Sequence, residues 1–262
     1  MVTIISVHSF RGGTGKSNTV ASLAVLMAER GKRVGVIDTD IQSPGIHVLF
    51  GLRADDITVS LNDYLWGRVS ITETARPVYE SSNGGTVYLI PASMKTNEIV
   101  QVLRQGYDIR RLTEALGELT QTLALDAIFI DTHPGLNEET LFALAISTAV
   151  IMVLRPDQQD YEGTGIAVEV ARSLEVPRLM LILNKAPATL DASAVAASLE
   201  RTFKCEVAAV LPHSDRMMEL GSDDVFAKKF PSHRITQSLA AVVESLLSEP
   251  PAASRESTAN RA

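Results

Sequence analysis

The sequence predicts an α/β fold built on a mostly parallel sheet of about seven to eight strands with helices on both faces. Three observations carry this expectation. First, short runs are apolar without alternation: VTIISV from Val2, VGVI from Val34, VYLI from Val87, AIFI from Ala127, VIMVL from Val150, LMLIL from Leu179 and AAVL from Ala208. Successive strand residues point to opposite sides, so a continuous apolar run fits a sheet covered on both faces. Second, helical spacing fills the intervals at Lys16–Arg30, Ile109–Leu123, Glu138–Ile146, Gly163–Leu174, Ala192–Phe203 and Ile235–Leu247. Strand, helix, strand in succession implies right-handed crossovers and parallel neighbours. Third, neither a Pro/Gly/Ser-rich linker nor an internal repeat interrupts the alternation, so residues 1–248 read as one domain. Residues 249–262 contain two prolines and no large apolar side chain, which reads as a disordered polar tail.

Composition narrows the function classes. The 262 residues carry 24 Lys and Arg against 31 Asp and Glu, a net charge of −7, which argues against indiscriminate coating of nucleic acid. Cys205 is the one cysteine, so a disulfide framework, a CxxC zinc site or a thiol-ligated cluster cannot be assembled within this chain. The segment MVTIISVHSF has no basic n-region, and the longest nearly apolar run, Ala143–Leu154, is far shorter than the roughly 20 residues a bilayer needs. These features predict a cytoplasmic protein. Leu239, Val242, Val243, Leu246 and Leu247 form a one-face stripe near the end, but the polar face beside it offers Gln237, Ser238, Glu244 and Ser245 and no cation. Core packing is therefore expected over stable membrane anchoring.

The most informative stretch is HSFRGGTGKSN, placed between an apolar strand and a helical pattern. Gly12, Gly13 and Gly15 let the backbone curl so that N–H groups point at a phosphate; Lys16 adds a charge for the outer phosphates, Ser17 a hydroxyl for magnesium, and the helix its positive end. A standard phosphate loop has glycine where this chain has Phe10. RGGTGKS instead resembles the deviant Walker A motif KGGxGK[ST] of the MinD/ParA family of P-loop ATPases. The resemblance covers nearly all of residues 1–248. It implies a P-loop NTPase fold, ATP and Mg2+ as cofactors, phosphate binding by Gly12, Gly13, Thr14, Gly15, Lys16, Ser17 and Asn18, and catalysis involving Lys16. In that family the first lysine of the motif reaches the partner's phosphates across a nucleotide-sandwich dimer; here the position is Arg11, longer and forked rather than a point charge.

Four further segments extend the match. VIDTDIQSPG places Asp38 and Asp40 at the end of a buried strand, where two carboxylates can lie near magnesium and an attacking water. The resemblance assigns Asp40 to the water and Asp38 to the magnesium shell. In AIFIDTHPG the apolar strand ends in Asp131, positioned for a magnesium-bound water, with His133 a switch-loop side chain and Pro134-Gly135 a turn near the γ-phosphate. LILNK and VLPHSD supply Asn184 and Pro212, which the family uses around adenine; Pro187 stands where a guanine-reading NKxD motif has its aspartate.

The resemblance thus implies a switch cycling between an ATP-bound homodimer and an ADP-bound monomer, hydrolysing slowly under stimulation by a protein partner, and used for intracellular positioning in division or partitioning. A non-hydrolysing, nucleotide-sensing module is the alternative, with Phe10 and Arg11 marking a lost cycle. Relatives that carry iron–sulfur clusters need two cysteines per subunit at the dimer seam, one more than this chain has. Asp157 and Asp160 in RPDQQDYEGT are candidates either for an interface or for a solvated turn. Nonspecific DNA binding would need Arg201, Lys204, Lys228, Lys229 and Arg234 brought together.

Overall fold

The computed structural model describes residues 2–248; the expected tail at 249–262 lies outside them. The elements run β1 (Thr3–His8), α1 (Lys16–Ala28), β2 (Arg33–Asp38), α2 (Ile46–Leu49), α3 (Leu61–Leu65), α4 (Ile71–Thr74), β3 (Arg76–Glu80), β4 (Thr86–Ile90), α5 (Thr96–Gln105) and α6 (Arg110–Thr122). They continue with β5 (Ala127–Asp131), α7 (Glu138–Ala145), β6 (Ala149–Leu154), α8 (Gln158–Ser173), β7 (Leu179–Ala186), α9 (Ala192–Phe203), β8 (Glu206–Pro212), α10 (Asp215–Leu220), α11 (Phe226–Lys229) and α12 (Arg234–Leu247).

The strands form one eight-stranded sheet in the order β3-β4-β2-β5-β1-β6-β7-β8, parallel throughout except for β3 against β4. The continuous apolar runs are divided between its faces. Val7, Val36, Phe129, Ile151 and Ile182 pack under α1 and α12, while Ile37, Ile128 and Ile130 meet α6 and Val150, Met152, Leu181 and Leu183 meet α8 and α9. Helix α1 is buried from Thr19 to Ala28 because the sheet covers one side and α12 and α11 the other, which explains its apolar sequence TVASLAVLMA. Of the C-terminal stripe of α12, Leu239, Val242, Val243 and Leu246 are buried in this layer, so core packing occupies them, whereas Leu247 is exposed. No helix among the described residues is long and apolar enough to cross a membrane.

The chain leaves β1 at the middle of the sheet, runs through α1 to β2 on one side, and later runs from β5 through α7 to β6 on the other. Reversal of direction at neighbouring strands opens a crevice at their carboxyl ends, the place where such sheets bind ligands. His8, Asp38 and Asp131 stand at those ends.

Candidate functional site

Between His8 and Lys16 the chain passes through Gly13 and Gly15 at φ 77° and 96°, left-handed values that a side chain would resist. The loop's carbonyls are held from outside. Arg11 O accepts from Ser9 Oγ at 2.9 Å, Gly13 O from Lys185 Nζ at 2.8 Å, and Thr14 O from Asn184 Nδ2 at 2.8 Å. Gly15 O accepts from both N and Oγ1 of Thr19 at 3.0 Å. A loop whose carbonyls are fixed outward turns its N–H groups inward, forming a concavity for anions. No side chain caps α1, so its first N–H groups are left to a ligand at the helix's positive end.

The acids converge through strand register. Val7 pairs with Asp131 and Asp131 with Asp38, so β1, β5 and β2 end at one level. Lys16 Nζ donates to Asp131 Oδ1 at 2.8 Å with both side chains buried. Burial opposes the lysine's charge, but Asp131, Asp40 and Asp38 outweigh it and hold its pKa above the ordinary value. Asp38 is wholly buried; Oδ1 accepts from Asp40 N at 3.1 Å and Oδ2 has no partner. Burial, then repulsion from Asp131 and Asp40, pushes its pKa well up. Asp40 is more open, and its Oδ1 accepts from Ser43 N at 3.1 Å and lies 3.9 Å from His133 Nε2. His133 Nδ1 donates to Pro134 O at 2.6 Å, which leaves Nε2 facing Asp40.

Among the described residues no three His, Cys, Asp or Glu side chains form a cage for a bare metal ion. Magnesium retains water and binds through one or two carboxylates plus substrate phosphates. The unpartnered Asp38 oxygen beside the loop, with Ser17 at the start of α1, fits such an ion.

His8 lies behind the loop. Its Nδ1 is 2.9 Å from Thr132 Oγ1, whose own proton goes to Val7 O at 3.0 Å, so the imidazole donates from Nδ1 and leaves buried Nε2 without a partner. Burial, reinforced by Lys16 and His133, lowers its pKa from 6.5 to about 3. Below pH 6.5 the unfolded chain therefore binds a proton that the folded chain refuses. This contribution to stability is complete above that pH and falls by up to ~1.4 kcal/mol per unit until about pH 3. Urea unfolding at pH 6.5 and pH 5 is expected to show the loss, and His8→Asn to reduce the slope; equal slopes would exclude His8 as its source.

Arg11, at the motif's signature position, contacts α8 of its own chain. The guanidinium donates to Gln159 Oε1 and lies 3.7 Å from Asp157 and 3.9 Å from Asp160. Asp160 is buried and accepts from Arg155 N and Nε, both at 2.9 Å, so it is neither a solvated turn residue nor free for an interface. Asp157, partly exposed, caps α8 by accepting from Asp160 N. Helix α8 thus begins five residues before the expected Gly163, because Gly163 and Gly165 blur its periodicity. Gly163 also accounts for Phe10: a Cβ at 163 would stand 2.1 Å from the Phe10 ring, so the bulky residue fits where its neighbour has no side chain.

A cleft of about 480 Å³ adjoins the loop, lined by Gly15, Asn18, Lys185, Pro212, Met217 and Met218. Asn184 is in its wall, yet its amide is engaged: Nδ2 with Thr14 O and Oδ1 with Lys185 N. A larger groove of about 550 Å³ between α8 and α9 contains none of the loop or carboxylate residues. The five cations named for DNA do not gather. Arg201 and Lys204 belong to the α9 side of the sheet, Lys228, Lys229 and Arg234 to the α11–α12 side, and Lys228 pairs with Asp224 at 2.9 Å.

A family profile described as AAA domain matches residues 2–175. An iron-sulfur cluster carrier protein of Aquifex aeolicus is 28% identical over 70% of this chain and 47% of its own length. The flagellum site-determining protein YlxH of Helicobacter pylori is 27% identical over 80% of this chain and 67% of its own. The chain spans less than two thirds of the first curated relatives it matches. Among solved structures, the septum site-determining protein MinD of Pyrococcus horikoshii, complexed with Mg-ADP, superposes with a TM-score of 0.78 at 22% identity, over 94% of this chain and 96% of that one.

Proposed function

Because the chain belongs to the AAA-domain family of MinD/ParA-type P-loop ATPases, we propose that it binds Mg-ATP at the β1–α1 loop and acts as a hydrolysing, dimerising switch that positions a cellular cargo. The observation that carries this reading is the loop with its carbonyls held outward and Lys16 at its helical end, facing Asp38, Asp40 and Asp131. Lys16 takes the outer phosphates, and Ser17 with Asp38 and Asp131 would hold magnesium, which would supply neutralisation of phosphate charge. The apolar cleft at Pro212, Met217 and Met218 takes the adenine face, with Asn184 and Lys185 bracing the loop beneath it. Asp40 orients the attacking water. The site-determining relative and the MinD structure support a positioning role. Cys205, half-buried with its thiol pushed up to about 11 by burial, is a poor start for carrying an iron–sulfur cluster.

Arg11 is the residue through which ATP-dependent dimerisation would be sensed. Its own-chain ion pairs are long and partly exposed, a class of contact that contributes about 0–1 kcal/mol, so a partner's phosphates can draw it away. Arg11→Ala is expected to keep the parent's ADP affinity while losing ATP-dependent dimerisation, and Arg11→Lys to recover part of it. Light scattering with ATP under non-hydrolysing conditions decides: undiminished dimerisation of Arg11→Ala would mean that the contact is made elsewhere. The same own-chain pairing favours, as a second reading, a sensing module that does not turn over, and phosphate release assays distinguish the two.

A further inference from the structure

Lys185 follows the base-side asparagine and braces the loop without itself joining the phosphate or magnesium contacts proposed above. Its backbone is left-handed, at φ 58°, in a residue with a full side chain. That conformation is uncommon outside glycine and asparagine and is strained for a residue with a full side chain. It occurs where the β7–β8 register breaks between Leu183 and Ala186. The turn sends the exposed lysine side chain back over the cleft, where Nζ donates to Gly13 O at 2.8 Å, across 172 residues of sequence. Gly13 is itself left-handed.

We propose that Lys185 is a positioning residue of the nucleotide site, whose ammonium holds the Gly13 carbonyl outward so that the following N–H groups stay aimed at the phosphates. The inference rests on the loop being a nucleotide site. The physical reason is that a peptide plane turns as a unit: fixing the oxygen of Gly13 on one side fixes the N–H of Thr14 on the other. Asn184 does the same for the next plane through Thr14 O. The Asn-Lys pair therefore sets two consecutive planes, and its lysine acts through the loop rather than by touching phosphate.

Lys185→Gly separates side chain from backbone, because glycine adopts φ 58° without strain. The expected result by calorimetry is a fivefold to tenfold loss of Mg-ADP affinity in Lys185→Gly. Its unfolding midpoint without nucleotide should be equal to or above the parent's, and Lys185→Arg should keep affinity within about twofold. Inorganic pyrophosphate, which has no base, is expected to lose affinity by the same factor when tested by competition. Unchanged Mg-ADP affinity in Lys185→Gly would overturn the proposal, as would a loss confined to ADP and absent with pyrophosphate, which would make Lys185 a base contact. Failure of the parent chain to bind Mg-ADP at all would overturn the nucleotide reading itself.

Discussion

Lys16→Ala is expected to bind no ATP at concentrations that saturate the parent, a loss of about a thousandfold, or ~4 kcal/mol. Lys16 is the cation that faces Asp38, Asp40 and Asp131 in this pocket. Without it, phosphate oxygens would approach three acids with only backbone N–H groups to compensate, and charge-assisted hydrogen bonds are about twice as strong as neutral ones. The same substitution strips Asp131 of its 2.8 Å partner and leaves a buried carboxyl unpaired, so some stability is lost as well. The double variant Lys16→Ala/Asp131→Asn separates the effects: it is expected to recover thermal stability and not nucleotide binding. Near-parental ATP affinity in either variant, measured by calorimetry, would remove the loop from the nucleotide site.

The parts of this site that were legible in the sequence are those fixed by short-range pattern. A glycine-rich loop between an apolar strand and a helix, and acids at the ends of VGVID and AIFID, are set by strand periodicity and local turn chemistry, and the structure puts them on three adjacent strands. The seven apolar runs all became strands. Strand β3 escaped notice because RPVYE is an antiparallel edge, partly exposed and carrying Pro77, so it lacks the apolar run of a covered strand. Helices α2, α3 and α4 have four or five residues each, too few for a helical period to register. What tunes the loop was hidden for a different reason: Arg11 meets Gln159 across 148 residues, and Lys185 meets Gly13 across 172. Neither partner leaves a local mark, and the bond from Asn184 to Thr14 O spans a comparable stretch of sequence.

Asp40→Ala is expected to bind ATP within about threefold of the parent and to hydrolyse it at least about a hundredfold more slowly. Asp40 makes no hydrogen bond or ion pair with Lys16, its one backbone contact opens the QSPG loop, and it is the most exposed of the three acids. A group that orients water acts in the transition state and little in the ground state, so its removal lowers kcat without raising the ATP dissociation constant. Asp40→Asn tests the alternative of a loop brace, because an amide oxygen still accepts from Ser43 N while the negative charge is gone. If the charge matters, Asn is as slow as Ala; if the brace matters, Asn turns over like the parent. The acid limb of the rate profile gives an independent reading. Burial raises the Asp40 pKa, against the opposing pull of Lys16 and His133, so the active carboxylate is lost at a higher pH than an ordinary aspartate would allow. Turnover in the parent should therefore decline, as pH falls, above the usual carboxylate range. A parent profile flat down to that range, together with parental turnover in Asp40→Asn, would move the water-orienting role from Asp40 to another group.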